Sequence, residues 1–355
     1  MKKIVTVIGA RPQFIKAAPV SRAIEGENNL QEVILHTGQH FDENMSQVFF
    51  DQMGIPRPDH HLNIHSLTHG AMTGRMLEGI ERILLQEEPD WVMVYGDTNS
   101  TLAGALAASK LHIPLAHVEA GLRSFNTRMP EEINRILTDR VSQLLFCPTP
   151  AAMKNLSKEG FDAFPCQKIN SGDVMYDATL LFREKARRPR HVELPEKFAL
   201  ATVHREENTT RHKQLMNIIR GLNDLADQCP VVLPMHPRTR KLTDGSGLPA
   251  FSGNIMVIDP VGYLEVLYLL QHCQLVITDS GGMQKEAYFF KKPCITLRKE
   301  TEWTELVEAG TNKLCGSDPA LIMEAFRQFT STPPRFTGGL YGKGNASAII
   351  ARAFL

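Results

Sequence analysis

Three carboxylate residues follow predicted strands or open a predicted helix in the first half of the chain. Asp97 follows the apolar run WVMVY, and Glu119 comes directly after PLAHV. Glu131 lies in MPEEINR, where a segment of helical periodicity begins. Because ligands of parallel sheets bind at the carboxyl ends of the strands, we expect these carboxylates to share one edge. Carboxylates that repel one another in a partly dry site have raised pKa values, which suits general acid and base catalysis.

Two of these three carboxylates also have a structural explanation. Asp97 could cap the helix that is predicted to begin near Thr101. Glu131, together with Glu132, would favour the start of its own helix electrostatically. Glu119 has neither explanation, because it follows a strand of buried character and precedes Ala-Gly. On residue pattern alone, Glu119 is therefore the strongest catalytic candidate.

The segment TDSGGMQKEA joins a predicted strand to a predicted helix. Its glycines would let a ligand approach the backbone, and a helix N-terminus offers unpaired N–H groups and a positive dipole. The pattern predicts a diphosphate site at Ser280, Gly281 and Gly282, although Ser280 could simply cap the helix. Glu286, about one turn into the helix, could accept hydrogen bonds from a ribose diol.

Further cations and histidines follow other predicted strands. Arg11 and Lys16 come after the first strand, in GARPQFIK, where they could face a phosphate or a sugar or simply be solvated. His204 ends the strand ALATV and His236 ends VVLPM. A single histidine at a strand end is more often structural, but two such sites in one domain favour ligand contact. Arg135 lies one turn into the helix that MPEE opens. Neither HxH nor HExxH occurs, so the histidines predict no metal site.

Strand-like apolar runs alternate with segments of helical period along the chain. One series starts at Ile4–Ile8 and a second at Lys168–Asn170. This alternation predicts an α/β protein whose parallel sheets have helices on both faces. The two series predict two doubly wound, Rossmann-like domains that face a cleft, 1–168 with the C-terminal helix 344–355, and 169–343.

Composition restricts the partners and the compartment. The 355 residues fit two domains. The 39 basic and 39 acidic residues balance, and the lack of a polybasic run argues against a nucleic-acid partner. No apolar segment approaches the roughly 18 residues of a membrane helix. The six cysteines form no CxxC pair, which predicts reduced thiols in a cytoplasmic protein rather than disulfides or zinc ligands.

The chain resembles the non-hydrolysing UDP-N-acetylglucosamine 2-epimerase family from end to end. The motifs are GARPQFIKAAP, TGQHF, YGDTNST, HVEAGLRS, MPEEINR, ATVHREEN, PMHPR, TDSGGMQKEA and NAS. The resemblance implies a glycosyltransferase-B-like fold, a homodimer, a UDP-sugar substrate, and catalysis without metal or nicotinamide cofactor. It implies that a base removes the proton on sugar carbon 2 while UDP leaves carbon 1. UDP would then add back to a 2-acetamidoglucal, with protonation on the opposite face.

The resemblance also implies a role for each candidate residue. Positions that match the catalytic residues of the family are Asp97, Glu119, Glu131 and His204. Positions that match substrate contacts are Arg11, Lys16, Arg135, His236, Ser280, Gly281, Gly282 and Glu286. Which carboxylate acts as base and which as acid stays open.

Two departures from the family pattern bear on the sugar. Members that act on UDP-N-acetylglucosamine commonly show G-T-R-P-E and T-T-E-R-P-E, where this chain has Ala10, Gln13 and Trp303. The residues Asp42, His69 and Gly70 also match the activator site of some members poorly. In these features the chain is more similar to the branch of the family that acts on UDP-2,3-diacetamido-2,3-dideoxyglucuronate, a lipopolysaccharide precursor. Either sugar nucleotide is therefore an expected substrate.

Two other functions compete with the epimerase. A retaining glycosyltransferase of the same fold would share the Ser-Gly-Gly turn and the ribose glutamate, but it does not explain three clustered carboxylates. A sugar-nucleotide sensor without catalysis would require all three carboxylates to be structural.

Overall fold

The computed structural model describes residues 1–39, 54, 56–235, 240 and 247–355. The chain divides into two compact units, Met1–Leu181 with Gly339–Leu355, and Phe182–Gly338. Each unit contains one parallel sheet with helices, so the predicted α/β class is confirmed.

The first unit contains a seven-stranded sheet in the order β3-β2-β1-β4-β5-β6-β7. Its strands are β1 (Lys2–Ile8), β2 (Leu30–His36), β3 (His60–His61), β4 (Trp91–Tyr95), β5 (Leu115–Val118), β6 (Leu144–Cys147) and β7 (Gln167–Asn170). Its helices are α1 (Arg11–Glu25), α2 (His69–Glu87), α3 (Asn99–Lys110), α4 (Pro130–Val141), α5 (Pro150–Lys158) and α6 (Val174–Phe182), which ends at the boundary of the unit.

The second unit contains a six-stranded sheet in the order β10-β9-β8-β11-β12-β13. Its strands are β8 (Ala199–Thr202), β9 (Val231–Pro234), β10 (Ile255–Ile258), β11 (Leu275–Thr278), β12 (Cys294–Thr296) and β13 (Asn312–Leu314). Its helices are α7 (Glu206–Thr209), α8 (His212–Ala226), α9 (Tyr263–His272), α10 (Gly281–Phe289), α11 (Thr304–Glu308) and α12 (Pro319–Ser331). The last helix of the chain, α13 (Ala346–Arg352), belongs to the first unit.

The division of the chain differs from the predicted one after residue 168. The strand predicted to start the second domain is β7, which pairs in parallel with β6 at the edge of the first sheet. The C-terminal segment returns to the first unit, where the carboxylate of Asp177 accepts hydrogen bonds from the amides of Ala346 and Ser347. A sequence cannot show to which sheet an edge strand adds, because the partner strand is remote in the chain.

Both sheets have a topological switch point, where the strand order reverses and a crevice opens beyond the carboxyl ends. In the first sheet the switch lies between β1 and β4, and in the second between β8 and β11. The strands read as continuous apolar runs because helices cover both faces. In the first unit, α3 lies very close to the sheet: a Cβ at Gly104 would be 3.0 Å from Cγ1 of Val94.

The cysteines are consistent with a role in packing. All six cysteines are free, and all except Cys166 are buried. Within the described ranges, no helix combines the length and the apolar character needed to cross a bilayer.

Candidate active site

Lys16 and Glu119 form an ion pair at the carboxyl edge of the first sheet. Lys16 lies in the second turn of α1, and Glu119 follows β5. The Lys16 ammonium contacts the Glu119 carboxylate directly, and the two side chains are only 12% and 6% exposed. Because water is largely excluded, this pair interacts more strongly than a pair on an open surface.

The backbone of Glu119 adopts a left-handed conformation that is rare for a residue with a side chain. Its φ is +75°. The carbonyl of Phe146 holds this turn by accepting from the amides of both Glu119 (3.1 Å) and Ala120 (3.0 Å). Backbone strain of this kind persists where the surrounding structure enforces it, often at functional sites.

Asp97 lies beside this ion pair, one residue after Gly96. Gly96 has φ +62°, and a Cβ there would be 3.2 Å from the Glu119 carboxylate and 3.3 Å from Lys16 Nζ. A side chain at this position would therefore crowd the ion pair and strain the backbone. Asp97 Oδ2 is 2.8 Å from Nη2 of Arg135, while the Asp97 side chain keeps 31% of its surface exposed.

The pKa of Asp97 is raised above its ordinary value. Withdrawal from water in this recess is the main cause, and the positive charges of Arg135 and Lys16 oppose it. The negative charges of Glu119 and Glu131 raise the pKa further. The predicted grouping of carboxylates with a raised pKa is thus present at Asp97.

The two glutamates at the start of α4 differ in their surroundings. Glu131 is exposed. Glu132 is fully buried, and its carboxylate accepts from the amides of Ser124 (2.9 Å) and Phe125 (3.0 Å). Glu132 therefore anchors the loop before α4, whereas Glu131 is accessible to a ligand. The pattern EE could not distinguish them, because both lie in the first helical turn.

Arg135 and its neighbour Asn134 attach α4 to the Asp97 turn. Arg135 is 3% exposed, and its Nε donates to the carbonyl of Glu131 at 3.2 Å. Asn134 Nδ2 donates to the backbone carbonyl of Asp97 at 2.9 Å. Asn134 was not among the predicted site residues, and its proximity to Asp97 has no signal in the sequence.

Gln13 links the two loops at the switch point of the first sheet. Its Oε1 accepts from the amides of Gly9 (2.8 Å) and Ala10 (2.9 Å). Its Nε2 donates to the carbonyl of Tyr95 at 2.8 Å. The sequence shows Gln13 only as a departure from the family pattern. Arg11, the first residue of α1, lies partly exposed at the same edge.

In the second unit, Asp279 holds His204 at the carboxyl edge. Asp279 is fully buried and accepts from the amides of His204 and Arg205 and from Nδ2 of Asn208. His204 Nδ1 is 3.0 Å from the same carboxylate, and the ring is 54% exposed. Nε2 is thus the ring nitrogen available to a ligand.

Asp279 is held in its ionised form. Although burial alone would raise the pKa of Asp279, its contacts with His204, Asn208 and the Arg205 amide lower it below the ordinary value. The motif TDSGG contains Asp279, but the motif alone predicts no role for it. Its position directly after β11 was the available signal.

The Ser-Gly-Gly turn opens α10 as predicted, and its residues differ in their surroundings. Ser280 Oγ accepts from the Met283 amide at 3.4 Å, so the capping explanation holds as well. A Cβ at Gly281 would lie 2.5 Å from Oε1 of Glu302. At Gly282, no described atom lies within 4 Å of that position. Glu286 is 6% exposed, one turn further on.

Trp303 replaces a cation of the family pattern, but a buried cation lies beside it. Lys285 is 1% exposed, and its Nζ lies 4.0 Å above the Trp303 ring in a cation–π contact. Next to them, Arg298 and Glu302 form a buried ion pair at 2.9 Å.

Each unit thus groups its own predicted residues. The first unit brings Lys16, Asp97, Glu119 and Arg135 together, and the second places His204, Ser280, Gly281, Gly282 and Glu286 at one edge. His236 and Asp42 lie outside the described residues. In the described part of the chain, no group of His, Cys, Asp or Glu is arranged to hold a metal ion.

The chain is similar to known proteins over nearly its whole length. The family described as UDP-N-acetylglucosamine 2-epimerase matches residues 22–355. The UDP-2,3-diacetamido-2,3-dideoxy-D-glucuronate 2-epimerase of Pseudomonas aeruginosa is 57% identical over 350 residues, which cover 98% of each chain. The UDP-N-acetylglucosamine 2-epimerase of Neisseria meningitidis is 35% identical over 378 residues, which cover 99% of each chain.

Solved structures agree with these similarities. The crystal structure of Methanocaldococcus jannaschii UDP-GlcNAc 2-epimerase in complex with UDP-GlcNAc and UDP matches with a TM-score of 0.90 and 41% identity, over 99% of each chain. The fold is therefore the glycosyltransferase-B-like fold that the resemblance implied. The chain belongs to the UDP-N-acetylglucosamine 2-epimerase family, and it is an isomerase that acts on a carbohydrate.

Proposed function

We propose that this enzyme inverts carbon 2 of a UDP-linked acetamido sugar by eliminating UDP and adding it back. The observation that carries this proposal is the set of paired charges on the first sheet, where the Lys16–Glu119 ion pair lies beside Asp97 and Arg135. Carboxylates in unlike electrostatic surroundings are suited to separate acid and base roles.

The proposed reaction needs proton transfer on both faces of the sugar. One carboxylate takes the proton from carbon 2, the carbon 1–oxygen bond to UDP breaks, and a carbon 1–carbon 2 double bond forms. A phosphate oxygen of UDP then bonds to carbon 1, and a second acid protonates carbon 2 on the opposite face. The raised pKa of Asp97 supports a role in these transfers, because an efficient acid–base group has a pKa nearer the working pH. Glu119 and Glu131 are the proposed partners.

We assign the UDP moiety to the second unit. The N-terminus of α10 presents backbone N–H groups at Gly281 and Gly282, and the hydroxyl of the N-cap Ser280 lies at the same turn, which suits a diphosphate. His204 offers Nε2 next to this turn, and Glu286 is the proposed acceptor for the ribose hydroxyls. Arg11, Lys16, Arg135 and His236 are proposed to bind the remaining negative charge of the substrate.

We propose UDP-2,3-diacetamido-2,3-dideoxyglucuronate as the substrate, ahead of UDP-N-acetylglucosamine. Two findings support this choice. The Pseudomonas aeruginosa relative of that name is 57% identical over almost the whole chain. Ala10 and Trp303 also depart from the pattern of the N-acetylglucosamine enzymes. The manno-configured product would serve as a lipopolysaccharide precursor.

We further propose a cytoplasmic homodimer. The family resemblance supports the dimer, and six free cysteines, five of them buried, are consistent with a reducing compartment. Light scattering on the purified protein at several concentrations tests the dimer, and a monomer at all of them would contradict it.

Proton NMR in deuterated water tests the reaction. The enzyme is incubated separately with UDP-2,3-diacetamido-2,3-dideoxyglucuronate and with UDP-N-acetylglucosamine. We expect a manno-configured product carrying deuterium at carbon 2, formed faster from the uronate. Retention of the carbon 2 proton with both sugars would overturn the proposal. Glycosyl transfer to an acceptor with that proton retained would identify a glycosyltransferase instead.

A further inference from the structure

A buried histidine lies directly beneath the turn that carries Asp97. His117, on β5, has both ring nitrogens within hydrogen-bond distance of an acceptor. Its Nδ1 is 2.7 Å from Oδ1 of Asp139, and its Nε2 is 2.7 Å from the backbone carbonyl of Gly96. The side chains of His117 and Asp139 have no exposed surface.

Both contacts of His117 are to groups that accept hydrogen bonds. A carbonyl oxygen has no hydrogen to donate, and the Asp139 carboxylate is held ionised. Burial would raise the pKa of Asp139, but His117 and Arg123 together lower it. A neutral imidazole carries one N–H and can satisfy only one of the two acceptors. Both short contacts form together only if both ring nitrogens of His117 carry a proton.

The charges continue from Asp139 towards the surface. Arg123 Nη1 donates to Asp139 Oδ2 at 2.7 Å, and its Nε and Nη2 donate to the Glu159 carboxylate at 2.7 and 2.8 Å. Cations and carboxylates therefore alternate along a chain of four residues, His117, Asp139, Arg123 and Glu159. Alternation compensates each buried charge, which would otherwise be costly to remove from water.

These four charged residues hold the backbone beside both of the proposed catalytic carboxylates, Asp97 and Glu119. His117 binds the carbonyl of Gly96, which precedes Asp97. Asp139 Oδ2 accepts from the amide of Gly121 at 3.2 Å, two residues after Glu119. The backbone is left-handed at Gly96 (+62°), Glu119 (+75°) and Gly121 (+77°). Turns of this kind keep their geometry when surrounding groups enforce it.

We propose that His117, as a doubly protonated imidazolium anchored by Asp139, is a positioning residue for carbon 2 epimerisation. It holds the Gly96 carbonyl and thereby sets the distance between Asp97 and Glu119. His117 does not touch the reacting atoms, and this inference rests on the function proposed above. Misplacement of a reacting group by about 1 Å can lower a rate by about 100-fold.

Two variants of one residue separate the two contacts. In His117→Asn, the amide nitrogen lies where Nδ1 was and can donate to Asp139, but nothing reaches Gly96. In His117→Gln, the amide nitrogen lies near the former Nε2 and can donate to the Gly96 carbonyl. Both variants remove the same buried cation, so each controls for the stability loss of the other.

We expect His117→Asn to lower kcat by about 100-fold with little change in KM, because ground-state binding is preserved. His117→Gln should retain a clearly larger share of kcat. The measurements are steady-state kinetics per folded enzyme, with thermal unfolding of both variants. Equal kcat values in the two variants, or activity losses that merely follow their unfolded fractions, would refute the positioning role.

A second readout does not depend on turnover. Nitrogen-15 NMR of histidine-labelled enzyme should show hydrogens on both ring nitrogens of His117, in a signal that both variants lack. Amide exchange by mass spectrometry should be faster for the peptide containing Gly96 in His117→Asn than in His117→Gln. A ring with one proton, or equal exchange, would overturn the inference. If wild-type enzyme epimerises neither UDP-sugar, the proposed function fails, while these two measurements still decide whether a doubly protonated His117 holds the Gly96 carbonyl.

Discussion

The carboxyl edges of the two sheets are built from different chemical groups. The edge of the first sheet presents charged side chains from α1, from α4 and from the turns that follow β4 and β5, paired as Lys16–Glu119 and Arg135–Asp97. Among the described residues, the edge of the second presents the N-terminus of α10 and His204. Side chains whose pKa values respond to their surroundings suit proton transfer, and backbone N–H groups suit a permanently charged diphosphate. Under the proposed function, the first edge supplies the chemistry and the second binds the nucleotide.

Each edge also contains a buried aspartate that holds a histidine. In the first unit, Asp139 and His117 are both fully buried, and His117 points at a backbone carbonyl. In the second unit, Asp279 is buried but His204 is 54% exposed. The two histidines therefore differ in what they can contact, because only the exposed ring of His204 can meet a ligand. The four predictions below test this contrast between the edges, beginning with the largest effect.

Glu119→Gln should remove turnover and leave binding in place. General acid–base groups typically contribute about 10²- to 10⁴-fold to a rate, and we expect a loss of kcat within that range. Calorimetric titration with UDP should give nearly wild-type affinity, because the second edge is unchanged. Turnover close to wild type would show that Glu119 is not part of the proton transfer.

Asp97→Asn should change the pH dependence as well as the rate. Because the pKa of Asp97 is raised, its carboxylate is protonated at a higher pH than an exposed aspartate. Activity that needs this carboxylate ionised is therefore lost as pH falls through the raised pKa. We expect the kcat of Asp97→Asn to be about 100-fold below that of wild type. The kcat/KM of this variant should no longer fall on the acidic side of the pH profile. An unchanged fall would assign it to another group.

Asp279→Asn should weaken UDP binding and flatten the acid dependence of stability. Loss of the charged partner of His204 is expected to cost about 1.5–3 kcal/mol. If this free energy contributes to UDP binding, the affinity for UDP should fall by roughly 10- to 100-fold. The folded-state pKa of Asp279 is lowered, so its stabilisation is present above the unfolded pKa of about 3.9.

That stabilisation is lost as pH falls through the lower, folded-state pKa. Urea unfolding of wild type and variant at a series of pH values from neutral to acidic measures the difference. Parallel stability curves in this range would contradict the assigned ionisation of Asp279.

Gly281→Ala and Gly282→Ala form a matched pair with opposite expectations. A methyl group at 281 would meet the Glu302 carboxylate at 2.5 Å. Because Glu302 is held in a buried ion pair with Arg298, this variant should lose about 1–3 kcal/mol of stability. At 282 the described structure leaves room, so Gly282→Ala should fold normally and bind UDP more weakly. Thermal unfolding and UDP titration of both variants test this. Normal UDP binding by a folded Gly282→Ala would place the diphosphate elsewhere.

Much of the site was predictable because strand ends can be read locally. Asp97, Glu119, His204 and the Ser-Gly-Gly turn each follow an apolar run, and the structure places each at a carboxyl edge. The residues that hold them were missed. Gln13, Asn134 and Asp139 act through contacts with remote backbone groups, such as Asn134 Nδ2 with the carbonyl of Asp97. The choice between Glu131 and Glu132 likewise depended on which one the preceding loop buries.

The sequence by itself determined the α/β class, the strand-end positions of the candidate residues, and the resemblance to one family. Hydrophobic periodicity and motif order can be read along the chain without knowing which residues are in contact in the folded protein. Tertiary structure alone decided that Lys16 pairs with Glu119, 103 residues away, that β7 adds to the first sheet, and that His117 faces Gly96. These contacts depend on how parallel strands order themselves across a sheet, and that order differs from the order of the chain.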